Sequence, residues 1–130
     1  MEPWTDPAIY GPERAIELSE DQRRWWEADE LRAVRELDES LAHLRFALAV
    51  ADDATSAQDA ELAAAAVRLS ATWTAAVVHD SARLMRVRRR SHAPGRAARF
   101  SEGLRKALDL ATRDFETAQR KHDEARGVMA

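Results

Sequence analysis

The chain has 130 residues, 45% of them hydrophobic and 33% charged, with a net charge of −3 and no cysteine. That length allows one domain with a core and excludes a second independent one, and the apolar share argues against wholesale disorder. Without cysteine, disulfide frameworks, thiolate metal sites and cysteine nucleophiles are all excluded.

Alanine occurs 27 times and glycine only 4 times, and runs of β-branched residues are absent. An all-α class follows, because the abundant residues are strong helix formers. The amino-terminal stretch lacks the basic start and apolar core of a secretion signal, and no uninterrupted apolar run approaches the roughly 18 residues of a membrane span. A cytoplasmic protein with no membrane partner is expected. The small net charge hides a split: residues 1–61 carry 16 acids and 6 bases, residues 62–130 carry 7 acids and 14 bases. Two halves of opposite sign neutralise each other if they pack side by side.

In chain order, residues 1–18 hold Pro3, Pro7 and Pro12 with Trp4, Ile9 and Tyr10. This reads as an irregular arm draped on the bundle or on a partner, with a short helix in GPERAIEL that places Pro12 at its first position. A first long helix is expected over 19–51, with Ser19 and Gln22 as a capping box. Leu31, Val34, Leu37, Leu41, Leu44 and Leu48 recur at spacings of three and four and are assigned to the core. Ser56 followed by Asp59 then offers a cap for a second helix over 57–90, with Leu62, Ala66, Leu69, Trp73, Val77, Leu84 and Val87 on its core face. SHAPG ends that helix. A third helix is expected over 95–126, with Phe100, Leu104, Leu108, Ala111, Phe115, Ala118 and His122 on one side. Short connections make neighbours antiparallel, so residues 19–127 should form an elongated three-helix, coiled-coil-like bundle.

Four features bear on function. The second helix carries another apolar line, Val67, Ala71, Thr74, Val78 and Met85, about 130° round from Trp73 at 100° per residue; the simplest arrangement gives this face to the third helix. On the first helix, Trp25, Phe46 and Val50 lie roughly opposite the leucine stripe. These residues, with Val67, Val78 and Met85, are the candidate protein interface, to be covered by a second copy, another protein or the arm. Asp80 falls on a core face, where a lone carboxylate is costly unless paired. An arginine from another helix is the expected partner, fixing register; the sharper alternative is a polar site with His79 or His122.

The third feature is an absence. None of His43, His79, His92 and His122 has a Glu three residues before it, and no zinc or phosphate-loop motif occurs. No enzyme activity, cofactor or metal is expected. The fourth is the stretch RLMRVRRRSHAPGRAARF, residues 83–100, with seven arginines and no carboxylate. Arg86, Arg88, Arg89, Arg90, Arg96 and Arg99 form a collar that could face an anion, nucleic acid included. Helix-end electrostatics account for Arg88 to Arg90, whereas Arg96 and Arg99 would open a helix, where positive charge is unfavourable. The acidic start of the first helix, Glu20, Asp21, Glu27, Asp29 and Glu30, is the competing partner. The sequence thus points to a non-enzymatic interaction or assembly protein that self-associates; the alternative is a nucleic-acid-associated protein using the arginine collar.

Overall fold

Three helices, α1 (Pro12–Ser56), α2 (Ala60–Arg89) and α3 (Glu102–Met129), make up the fold. The computed structural model describes the backbone of residues 12–89 and 99–129, and the side chains of 20, 21, 23–89 and 99–127. Among the described residues there is no strand. Residues 1–11 of the arm, the SHAPG segment, Arg90 and Arg96 lie outside the described residues.

Contacts run in opposite directions along α1 and α2: Glu30 pairs with Arg88, Glu36 with Arg83, Ser40 with Asp80, and His43 stacks on Trp73. The two therefore form an antiparallel hairpin. Helix α3 returns antiparallel to α2, as His79 with Phe100 and Glu61 with Lys121 show. No Cα of α1 comes within 8 Å of one in α3 among the described residues, so α2 is the central helix. It is also the one described helix long and apolar enough, by length and composition, to cross a membrane; a helix flanked on two sides by neighbours carries the same composition.

The ends of the helices differ from the sequence expectation for local reasons. Helix α1 starts at Pro12 instead of Ser19, because proline's fixed φ and missing N–H suit a first turn and the following residues favour helix. It runs on to Ser56 instead of Ala51, with Thr55 turning its hydroxyl back to the Ala51 carbonyl at 2.8 Å. The turn that follows is a Schellman motif: Gln58 has φ 58°, its N–H donates to Thr55 O at 3.1 Å, and Asp59 N–H donates to Ala54 O at 2.9 Å. The cap of α2 is Asp59 and not Ser56: its carboxylate accepts from Leu62 N–H at 3.0 Å. That bond, together with His122 at 2.5 Å, holds the Asp59 carboxyl below its usual pKa. Ser101 caps α3 through Leu104 N–H at 3.2 Å, so the helix opens on Glu102 and leaves Arg99 and Phe100 in the connection.

The seam between α1 and α2 is not the leucine stripe. The buried face of α1 is Trp26, Ala33, Ser40, Ala47, Ala51 and Ala54, while Val34, Leu37, Leu41 and Leu44 are only half-buried and Leu31 and Leu48 are about half exposed. Small side chains let two helix backbones approach closely, and the leucines then sit on the shoulder of the seam. On α2 the expected face is present: Leu62, Ala66, Leu69, Leu84 and Val87 are buried and Trp73 and Val77 half-buried. The second face of α2 does not receive α3, since Val67, Ala71, Thr74, Val78 and Met85 are all exposed. Helix α3 docks instead on the flank that carries Glu61 and His79. Its Leu108, Ala111, Phe115 and Ala118 are buried, as their spacing implies, and the last three join Ala47, Ala51, Ala54, Leu62 and Leu69 in one apolar cluster. Burying a ring such as Phe115 contributes roughly 1.5–3 kcal/mol.

Candidate interaction surface

Asp80 is the most deeply buried charged residue described, 1% exposed in the C-terminal third of α2. Its Oδ2 accepts a hydrogen bond from Ser40 Oγ at 2.6 Å and lies 3.6 Å from Arg99 Nη2. Arg99 also donates to Ser40 Oγ at 3.0 Å and to the Glu36 carbonyl at 2.8 Å, and its guanidinium lies over the Phe100 ring at 4.7 Å. One arginine thus joins α1, α2 and the entry to α3. His79 Nδ1 stands 3.6 Å from Asp80 Oδ1, too far for a hydrogen bond. His122 is at the other end of the molecule with Asp59. Asp80 is therefore paired with an arginine, but one from the connection before α3 instead of from another helix, and of the two histidines only His79 is near.

The collar is divided in the same way. Arg83 is buried, pairing with Glu36 and lying 3.7 Å from Asp29, itself 5% exposed. Arg88 donates to Glu30 at 2.9 Å. Arg99 stands 3.5 Å from Glu39. Of the acidic helix start, Asp29 and Glu30 meet these arginines, and the partners extend past Glu30 to Glu36 and Glu39. Those two were missed because the connection brings Arg99 back level with Asp80, well before the end of α2, and only the chain path reveals that. Arg86 and Arg89 are exposed near the end of α2.

The apolar candidates separate into two groups. Val50 is half-buried against the core cluster, and Phe46, 55% exposed, meets Phe115 edge-on with centroids 5.9 Å apart. Both have contacts within the chain. Trp25, Val67, Val78 and Met85 stay outside the core, from 51% to 65% exposed. The shoulder leucines add to this surface, with Leu48 49% exposed. Periodicity detected the leucines and assigned them to the core, because a stripe of large apolar residues outweighs a stripe of alanines in any reading of hydrophobicity alone.

Among the described residues no group of three or more His, Asp or Glu side chains is placed to hold a metal ion. Comparisons with protein-family models, with curated proteins and with solved structures return no match.

Proposed function

We propose that the protein is a non-enzymatic helical assembly protein that acts by self-association. The observation that supports this is the amount of large apolar side chain outside the core: Trp25, Leu31, Leu48, Val67, Val78 and Met85 are each about half or more exposed. Single exposed apolar residues are ordinary, but a set spread along one helical hairpin is what partner surfaces are made of. The ionic groups serve the fold, since Asp80, Arg83, Glu36 and Arg99 are all engaged with one another or with Ser40 and Asp29. The nucleic-acid alternative loses Arg83 and Arg88 to carboxylates of α1, and Arg99 to Asp80 of α2 and Glu39 of α1.

Light scattering on a size-exclusion column over a concentration series tests the reading. The expected mass is a multiple of the 14.6 kDa chain that falls on dilution. A single-chain mass at every concentration overturns self-association. A salt-sensitive mobility shift of duplex DNA would favour the alternative.

A further inference from the structure

The leucine face of α1 is a continuous apolar surface, half-buried beside the seam, with no helix over it among the described residues. Phe46 touches α3, and at 100° per residue Leu37, Leu41, Leu44 and Leu48 lie roughly opposite Phe46. The face therefore looks away from α3, beside the seam with α2. Its spacing is that of a coiled-coil seam: Val34, Leu41 and Leu48 recur every seven residues, with Leu37 and Leu44 between them.

The rim of this face is charged in a specific order. Asp38 follows Leu37, Arg45 follows Leu44, and both are exposed. Neither makes an ion pair or hydrogen bond among the described residues. Arg45 has no carboxylate within reach along its own helix, because the residues three and four away are Leu41, Ala42, Leu48 and Ala49. The opposite edge of the stripe, Ser40 and Ala47, is fully buried. A parallel coiled-coil pair joins the outer edge of one helix to the inner edge of the other, which would set Asp38 and Arg45 against Ser40 and Ala47. An antiparallel pair joins outer edge to outer edge and inner edge to inner edge, and so brings the two charged edges that carry Asp38 and Arg45 together.

We propose that this face binds a second copy of the chain, antiparallel, about a two-fold axis that passes between Ala42 and His43. In that register Leu41 faces Leu44 of the second copy and Leu37 faces Leu48, and the two-fold repeats each contact. Asp38 of each copy then meets Arg45 of the other. One heptad further out Leu31 falls opposite Asp52, which confines the complementary charge to the centre. The inference rests on the self-association reading and names its partner, face and symmetry.

Charge reversal tests it, read by sedimentation at a concentration where the wild type is dimeric. Asp38→Arg alone sets arginine against arginine twice per dimer, and Arg45→Asp alone sets aspartate against aspartate twice. Each is expected to weaken the dimer roughly tenfold, as several exposed charge contacts of a few tenths of a kcal/mol change sign together. Mixing the two variants in equal amounts is expected to restore the dimer, since one copy then supplies two arginines and the other two aspartates. Both positions are exposed, and circular dichroism checks that the variants remain helical. A wild type that dimerises while both variants keep its dissociation constant overturns this face and leaves self-association standing. Weakened variants whose mixture fails to recover overturn the antiparallel pairing. A wild type that is monomeric throughout removes both readings.

Discussion

Asp80 and Glu39 both stand near Arg99, yet their energetic weights differ because their surroundings do. Asp80 is buried with one strong hydrogen bond from Ser40 and an arginine beside it, whereas Glu39 is exposed and reaches Arg99 only at 3.5 Å. A charge-assisted buried hydrogen bond is worth about 1.5–3 kcal/mol, and an exposed pair about 0–1 kcal/mol. Asp80→Ala is therefore expected to lower unfolding stability by roughly 2 kcal/mol, and Glu39→Ala by less than about 0.5 kcal/mol, in urea denaturation. Equal effects would show that Asp80 is not the centre of the network. The burial of Asp80 was legible from its place on the α2 stripe. Ser40 as its donor was not, because that serine lies on a face of α1 the leucine stripe had displaced from the core.

At the scale of single elements, capping residues decide where the helices begin and end. Gln58 holds the left-handed position of the turn between α1 and α2, where glycine carries no steric cost. Gln58→Gly is expected to raise stability by up to about 1 kcal/mol, the cost of a non-glycine residue in that conformation being about 1–2 kcal/mol offset by glycine's greater freedom when unfolded. An unchanged or lower thermal midpoint would count against the turn geometry. The existence and order of the three helices, Pro12 at a helix start and the core stripes of α2 and α3 were all readable from local chemistry. The cap of α2 was misplaced by three residues because Ser56 and Asp59 both carry capping side chains. Only the geometry of the Schellman turn chooses between them.

The whole molecule is uneven along its length. Arg88, one residue before the end of α2, pairs with Glu30, so the first turns of α1, from Pro12 to about Trp25, run past that end. Isolated helices of this length are marginal in water. Backbone amides there are expected to exchange with solvent faster than those from Ala33 to Ala54, which lie in the seam with α2. Hydrogen exchange read by mass spectrometry checks this, and uniform protection along α1 would mean that another part of the assembly covers its start.

Composition and periodicity, with the short connections, by themselves determined the three long antiparallel helices and that Asp80 needs a partner, and they offered the meeting of the acidic and basic halves as one of two outcomes. These follow from local propensity and from the cost of burying charge, which act wherever the chain goes. Tertiary structure alone decided which face of α1 is inside, which flank of α2 receives α3, and that Arg99 returns to Asp80. Those outcomes depend on how closely two backbones can approach. The alanine seam allows the closer packing, and it leaves the larger leucines at the surface.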